Sequence, residues 1–170
     1  MEFVGVIEML FISEHATISK FADIEPSLRG TRIVIKKGVM IDSFVKIKPT
    51  GGTGDVIIGE DTYINSGCVL YSGNGIKIGQ DVLIAANCTL APVNHEFRSR
   101  HQKIKEQRFM DGRGGIIIED DVWIGANSVI LDGAILRQGC VVGANSLVNG
   151  ELKPYTINVG NPAKVVGVRG

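Results

Sequence analysis

The stretch IEDDVWIGANSVILDGAILRQGCVVGANSLV, residues 118–148, repeats one pattern every six residues. An aliphatic anchor residue begins each unit, at Ile118, Ile124, Ile130, Leu136, Val142 and Val148. Four positions after an anchor the residue is small or β-branched, as at Val122, Ser128, Ala134, Cys140 and Ser146. A period of six matches neither an α-helix nor the simple alternation of a long strand. It predicts a short strand followed by a tight corner in each unit.

This six-residue unit, called a hexad below, extends through most of the chain. Further anchors lie at Ile12, Ile18, Ile24, Ile35, Ile41, Ile47, Ile58, Ile64, Leu70, Ile78, Ile84 and Leu90. Three hexads make one triangular coil, and one coil cannot bury its own apolar face, so stacked coils must supply the core. We therefore predict an all-β protein, a parallel β-helix of about six triangular coils.

The spacing of the coils predicts where loops leave the helix. With coil starts at Ile12, Ile35, Ile58, Ile78, Ile118 and Leu136, every extra residue falls after the third hexad of a coil. The insertions at 30–34, 53–57, 76–77 and 94–117 would then all emerge at one corner. Loops as long as 94–117 are uncommon unless they are functional or disordered.

The repeats indicate a single domain, residues 1–170. The segments 1–11 and 154–170 are expected to cover the open ends, which would otherwise expose strand edges. Glycine often follows the anchor directly, as at Gly59, Gly79, Gly125 and Gly143. We interpret these glycines as positions that need backbone angles other residues resist.

Composition argues against several classes of protein. Lysine plus arginine and aspartate plus glutamate both number 18, so no strong field favours nucleic acid or a membrane surface. No apolar run approaches the roughly 20 residues that span a bilayer, and residues 1–8 lack the basic region of a signal peptide. Cys68, Cys88 and Cys140 form no CxxC motif and occupy small positions of hexads, so we interpret them as structural. A reducing, cytoplasmic location follows.

Five segments resemble the sugar and xenobiotic O-acetyltransferases of the hexapeptide-repeat superfamily, such as the galactoside, maltose and polysaccharide O-acetyltransferases. These segments are residues 63–65, 78–85, 89–95, 121–127 and 160–166. The resemblance implies left-handed coils, although parallel crossovers are normally right-handed. It also implies acetyl-CoA as co-substrate, no required metal, and a homotrimer with active sites between neighbouring subunits. The implied acceptor is a sugar or polysaccharide precursor, with an antibiotic or an amino sugar as the alternative.

The resemblance assigns roles to individual residues. It implies a catalytic histidine, an asparagine that contacts the acceptor, a tryptophan beside the pantetheine arm, two backbone contacts to coenzyme A and a basic group near its phosphates. The catalytic histidine is His95, the asparagine is Asn65 and the tryptophan is Trp123. The two backbone contacts are at Ala126 and Ala144, and the basic group is Lys164. Two departures stand out. No stretch matches the long N-terminal helical segment of the galactoside and maltose enzymes, and Asn149-Gly150 replaces the usual Thr-Lys.

The residue types suit direct acyl transfer to a hydroxyl. A neutral imidazole, with a usual pKa of about 6.5, can take the proton of an attacking hydroxyl, so we interpret His95 as the general base. No serine or cysteine lies in a nucleophile motif, so no acyl-enzyme is expected, and backbone N–H groups would stabilise the oxyanion. Asn65 can donate and accept hydrogen bonds to an acceptor hydroxyl. The alternative for Asn65 is a corner residue with a left-handed backbone, and for His95 a surface loop histidine.

Two other functions stay open on the sequence alone. A metalloenzyme resembling the γ-class carbonic anhydrases needs three histidines around zinc, but His15 lies several coils from His95 and His101. A non-catalytic scaffold would not bind coenzyme A. The long loop has a basic excess, which either attracts phosphates or an anionic sugar, or is an ordinary solvated surface.

Overall fold

Three β-sheets form the three sides of a coil stack in a computed structural model, which describes residues 9–170. Sheet 1 contains β1 (Leu10–Ile12), β4 (Ile33–Ile35), β7 (Val56–Ile58), β10 (Ile76–Ile78), β13 (Ile116–Ile118), β16 (Ile135–Leu136) and β19 (Glu151–Leu152). Sheet 2 contains β2 (Thr17–Ile18), β5 (Met40–Ile41), β8 (Tyr63–Ile64), β11 (Leu83–Ile84), β14 (Trp123–Ile124), β17 (Val141–Val142), β20 (Thr156–Val159) and β21 (Lys164–Val168). Sheet 3 contains β3 (Asp23–Ile24), β6 (Lys46–Lys48), β9 (Val69–Tyr71), β12 (Thr89–Ala91), β15 (Val129–Leu131) and β18 (Leu147–Val148).

Consecutive strands of the chain lie in different sheets, so each set of three strands closes one triangular coil. Every neighbouring pair within the sheets is parallel except β20 with β21. The structure confirms the predicted left-handed parallel β-helix, with six complete coils among residues 9–170.

The hexad anchors stack in register along the inside of each sheet. Ile35 lies opposite Ile58, which lies opposite Ile78, and Ile78 in turn lies opposite Ile118. From the second coil to the sixth these anchors are buried, whereas Ile12 in the first coil is 44% exposed. Burying an aliphatic side chain contributes about 1.5–3 kcal/mol, so the ladders of anchors supply most of the core.

Backbone angles at the corners correct our interpretation of the glycines. The left-handed residue is the third after the anchor, as at Asp61 (φ 54°) and Gly67 (φ 73°). Glycine directly after the anchor has no positive φ, and it is required by space. A Cβ on Gly59 would lie 2.1 Å from the carbonyl oxygen of Gly79, and one on Gly125 would lie 2.5 Å from the backbone nitrogen of Ala144. These glycines therefore let neighbouring coils approach closely.

The stack continues beyond Val148, where the hexad pattern ends. Leu152 follows Val148 by only four residues, because the corner before β19 is shortened. In sheet 2, Asn158 takes the place of an aliphatic anchor opposite Val142, and it is completely buried. The segment 154–170 thus contains one further parallel strand and the antiparallel β21. Most of the predicted N-terminal cover, 1–11, lies outside the described residues.

The long loop connects β12 to β13 and carries one helical turn, α1 (Ile104–Gln107). Like the shorter insertions, it leaves the stack at the corner between sheet 3 and sheet 1. Among residues 9–170, no helix is long and apolar enough to cross a membrane.

Candidate active site

His95 lies at the start of the long loop, four residues after the end of β12, and its side chain is exposed. Its Nδ1 lies 3.1 Å from the carbonyl oxygen of Arg108. A carbonyl can only accept, so Nδ1 carries a proton, and in the neutral imidazole Nε2 keeps its lone pair. The imidazole is therefore held in the tautomer that a general base requires.

The returning arm of the loop supports this histidine. His95 and Phe109 form an antiparallel bridge, and their ring centroids lie 4.8 Å apart. The Arg108 carbonyl also accepts the N–H of Glu96 at 3.1 Å, and the Asn94 carbonyl accepts the N–H of Met110 at 2.9 Å. The two arms thus fix both the position and the tautomer of the imidazole.

Glu96 does not orient His95, although it is the next residue. One of its carboxylate oxygens accepts the N–H groups of Phe97 and Arg98, at 2.8 and 2.9 Å. The backbone N–H of Arg98, above all, lowers the pKa of the Glu96 carboxyl. The partner of His95 is a backbone carbonyl thirteen residues away. Sequence reasoning had no signal for it, because every residue carries such a group.

Asp132, which sequence reasoning missed, ties the returning arm to the coil stack. Its carboxylate is only 2% exposed. One oxygen accepts the N–H of Arg113 at 2.7 Å and the Nδ2–H of Asn74 at 3.1 Å, and the other accepts the N–H of Gly115 at 2.9 Å. The N–H of Gly115 is buried and finds its acceptor here, and the bonds from Arg113 and Asn74 hold the returning arm against the stack. Asp132 follows β15 at the corner between sheet 3 and sheet 1, one coil after the coil that carries the long loop. An aspartate at a corner was its only signal in the sequence.

A shallow cavity of about 250 Å³ opens beside His95. Its other lining residues are Thr50, Gly51, Tyr71, Ala91, Val93 and Phe109. These side chains are apolar, aromatic or hydroxyl-bearing, and none carries a charge. The cavity suits a ring that has apolar faces and hydroxyl groups at its edge.

Asn65 lies at the corner between β8 and β9 and is half-buried. Its Oδ1 accepts the N–H of Ser66 at 2.7 Å, so its Nδ2 faces away from the backbone. Within residues 9–170, that Nδ2 has no hydrogen-bond acceptor. The alternative interpretation of Asn65 as a left-handed corner residue is wrong, because Gly67 holds that conformation here.

The structure does not bring His95 and Asn65 together within one chain. Asn65 precedes β9 at the entry edge of sheet 3, whereas His95 follows β12 at the exit edge. Asn65 is not among the residues that line the cavity beside His95. Each group therefore lies at a different corner of the triangle.

Three of the residues implied for coenzyme A lie on neighbouring parts of the stack. Trp123 is 51% exposed on the outside of sheet 2, opposite Leu83 and Val141. Ala126 and Ala144 follow on successive coils at the adjacent corner, and the N–H of Asn145 is bonded to the Ala126 carbonyl at 2.9 Å. Among the described residues, neither alanine N–H has an acceptor. Gly125 leaves the Ala144 nitrogen uncovered, since its missing Cβ would lie 2.5 Å away.

Lys164 begins β21, is exposed, and lines a cavity of about 250 Å³ near the C-terminal end of the stack. Asn149 and Gly150, which replace the usual Thr-Lys, line the same cavity. A charged group is thus present at this place even though the lysine at position 150 is missing.

The remaining histidines and the cysteines lie elsewhere. His15 is exposed beside Glu14, and His101 is exposed in the long loop next to Arg100. In the part of the chain that the structure describes, no three His, Cys, Asp or Glu side chains converge as metal ligands would. The cysteines are buried, and burial raises the pKa of Cys140 to about 12. A thiol so protonated is a poor nucleophile.

The model of the hexapeptide repeat of succinyl-transferase matches residues 55–92 and 115–149. The chain is a hexapeptide-repeat protein. The putative lipopolysaccharide biosynthesis O-acetyl transferase WbbJ of Escherichia coli is 28% identical to it, over 76% of this chain and 65% of that protein. The galactoside O-acetyltransferase of Escherichia coli is 31% identical, over 66% of this chain and 53% of that enzyme. This hexapeptide-repeat chain thus spans about half to two thirds of the length of these two curated relatives.

Solved structures agree with the fold of this hexapeptide-repeat protein. AntD, an N-acyltransferase from Bacillus cereus in complex with dTDP and 3-hydroxybutyryl-CoA, is similar with a TM-score of 0.77 and 25% identity. The similarity covers 96% of this chain and 84% of that one. The hexapeptide-repeat acetyltransferase VCA0836 from Vibrio cholerae, complexed with acetyl-CoA, has a TM-score of 0.65 and 25% identity over 96% and 73% of the two chains.

Proposed function

We propose that this protein is an acetyl-CoA-dependent O-acetyltransferase whose acceptor is a hydroxyl of a sugar or polysaccharide precursor. The observation that carries the proposal is the His95 imidazole, held with Nδ1 bonded to the Arg108 carbonyl and with Nε2 free beside a cavity. The names of the relatives support it, because WbbJ and the galactoside enzyme are both O-acetyl transferases.

The reaction needs one base and no covalent enzyme intermediate. Nε2 of His95 takes the proton of the acceptor hydroxyl while the oxygen attacks the thioester carbonyl carbon. The C–O bond forms, the C–S bond breaks, and coenzyme A leaves as a thiolate that takes up the proton from the imidazolium. The Arg108 carbonyl stabilises that imidazolium through its bond to Nδ1.

Acetyl-CoA would bind along the corner after sheet 2. The free N–H groups of Ala126 and Ala144 can donate to the amide carbonyls of the pantetheine arm, with Trp123 packed against its methylenes. Lys164 would attract the phosphates at the end of the stack. The similarity to VCA0836 supports acetyl-CoA as the co-substrate, since that protein was solved with acetyl-CoA.

The separation of His95 and Asn65 supports a trimer in which each active site lies between two subunits. A neighbouring chain would bring its Asn65 corner to the His95 cavity. Exposed apolar side chains at Met40, Leu83 and Trp123 share one side of sheet 2, which suits a subunit contact. Three reduced, buried cysteines support a cytoplasmic location.

Acylation of an amino sugar is the second candidate. AntD is an N-acyltransferase, and its fold covers nearly all of this chain. A neutral amine needs less help from a base than a hydroxyl, so the two reactions differ in their demand on His95. Release of coenzyme A thiol with methyl hexopyranosides, compared with the corresponding amino sugars, separates them.

The first experiment combines calorimetric titration with acetyl-CoA and turnover of the His95→Ala variant. We expect saturable binding in both wild type and variant, and a loss of transfer of about 10²–10⁴-fold in the variant. His101→Ala, in the same loop but outside the cavity, is the control and should retain wild-type turnover. Near-normal transfer by His95→Ala would show that His95 is not the general base. Absence of acetyl-CoA binding would contradict the proposed function itself.

Mixing subunits tests the shared site. His95→Ala and Asn65→Ala chains, refolded together in equal amounts, should recover about one quarter of wild-type activity, because about three quarters of the trimers are mixed and each mixed trimer has one intact site of three. If both groups served a site within one chain, every site would keep one defect and no activity would return.

A further inference from the structure

Asp42 lies one coil before Asn65 at the same corner, each directly after its sheet 2 anchor. The Asp42 Oδ2 accepts the hydroxyl of Ser66 at 2.8 Å and that of Tyr63 at 3.3 Å, and Oδ1 accepts the N–H of Ser43 at 2.7 Å. Asn65 accepts the N–H of the same Ser66. Ser66 therefore bonds both groups, Asp42 through its hydroxyl and Asn65 through its backbone N–H.

This corner keeps free hydrogen-bonding capacity of both kinds. A carboxylate offers about four acceptor positions, of which Asp42 uses three. The backbone N–H of Ser43, with the Ser66 hydroxyl next in effect, lowers the pKa of Asp42, so the group is ionised at neutral pH. The Nδ2 of Asn65 adds two donors that no residue in 9–170 occupies. An acceptor and donors thus lie next to each other.

A shallow cavity of about 150 Å³ opens beside Asp42 on the outside of sheet 2. Side chains of three successive coils line it, including Ser19, Met40 and Tyr63. An apolar thioether and an aromatic ring can cover the C–H face of a ring whose hydroxyls reach the corner. The cavity and the polar corner together have the composition of a carbohydrate site.

We propose that Asp42 and Asn65 bind two adjacent hydroxyl groups of an uncharged acceptor, as found on a hexopyranose ring. One hydroxyl donates to the Asp42 carboxylate, and its neighbour accepts from Nδ2 of Asn65. The fixed negative charge disfavours an anionic acceptor at this corner. This inference rests on the proposed function, and it adds Asp42 as a specificity-determining residue and a neutral diol as the substrate class.

The test must separate recognition from corner stability, since Asp42 also caps the Ser43 N–H. Asp42→Asn keeps an oxygen for that cap and removes the charge. Asp61→Asn is the matched control, because Asp61 is exposed at another corner, and its left-handed φ of 54° is one that asparagine tolerates. Both variants are assayed by thiol release, using acetyl-CoA with methyl hexopyranosides and their monodeoxy counterparts.

We expect Asp42→Asn to raise the acceptor KM by about tenfold or more while the KM for acetyl-CoA stays constant. For wild type, the KM of one monodeoxy sugar should be higher than that of the parent sugar by a similar factor. Asp42→Asn should not raise the KM of that deoxy sugar any further. Asp61→Asn should match wild type on every sugar.

Three results would overturn the inference. If Asp42→Asn raised the acceptor KM by the same factor for all sugars, including the deoxy series, Asp42 would have only a structural role. Transfer by wild type to amines or single hydroxyls alone, with acetyl-CoA still bound, would overturn the diol class but leave the acyltransferase intact. Absence of acetyl-CoA binding would instead remove the proposed function itself, and the inference with it.

Discussion

The coil stack and the long loop are built on different principles. In the stack, each anchor packs against an equivalent anchor in the coils on both sides, so the same contact recurs along a ladder. In the loop, conformation depends on a few unrepeated bonds, such as those of Asp132 and the Arg108 carbonyl. Repetition stabilises the stack and makes its fold predictable from the sequence. The unrepeated bonds of the loop instead give His95 surroundings that occur once in the chain.

This difference also explains where the candidate site lies. Neighbouring coils constrain every strand residue, so a new side chain on the inside disturbs several layers. The corner between sheet 3 and sheet 1 tolerates insertions, because a loop there replaces no ladder contact. A loop at that corner can change in length and sequence around a catalytic side chain without altering the stack.

The largest expected effect is a truncation inside the stack. Ile84→Ala removes a buried anchor between Ile64 and Ile124 and should lower the free energy of unfolding by about 2–5 kcal/mol. Denaturant melting of the intact protein measures it. If stability fell by no more than in an exposed-site variant, the ladder would not be the source of the core.

A close approach between coils comes next. Gly59→Ala places a Cβ against the Gly79 carbonyl, which cannot move without shifting a coil, and should cost about 1–3 kcal/mol. Gly150→Ala is its control, since nothing lies within 4 Å of the added Cβ and the backbone φ is not left-handed. Thermal unfolding of the pair should differ clearly, and equal melting temperatures would show that spacing between coils is relaxed.

In the loop, Asp132→Ala should act locally. Three donors lose their acceptor, so opening of the returning arm should become easier by about 1–3 kcal/mol while the stack changes less. Hydrogen exchange of residues 108–115 should speed up, and kcat should fall as His95 loses its support. Unchanged exchange in that arm would assign its order to other contacts.

The smallest effect is expected from the outer surface of the stack. Arg32 donates to Asp55, at 2.9 Å through Nε, and this hydrogen bond is the main cause that lowers the pKa of Asp55. The pair should stabilise the fold above the usual carboxyl pKa, and the contribution should disappear as pH falls through the lowered value. Asp55→Asn should cost less than about 1 kcal/mol at neutral pH, since the Arg32 side chain is 57% exposed and water screens the pair. Urea melts of both proteins at neutral and acidic pH measure the difference.

Much of the fold could be predicted because a hexad is a local signal. Anchors such as Ile58 and Ile124 could be assigned one unit at a time, and each assignment was repeated by its neighbours. The prediction stopped at Val148, because the shortened corner before Leu152 and the buried Asn158 break both the spacing and the polarity on which it relied.

The candidate site divides differently between sequence and structure. The sequence by itself singled out His95, Asn65, Trp123, Ala126, Ala144 and Lys164 through local segments that resemble the O-acetyltransferases. Only the tertiary structure placed His95 against the Arg108 carbonyl, tied the loop through Asp132, and joined Asp42 to Ser66 beside Asn65. These contacts join residues far apart in the chain through single hydrogen bonds. Such bonds follow no period, so only the folded chain could decide them.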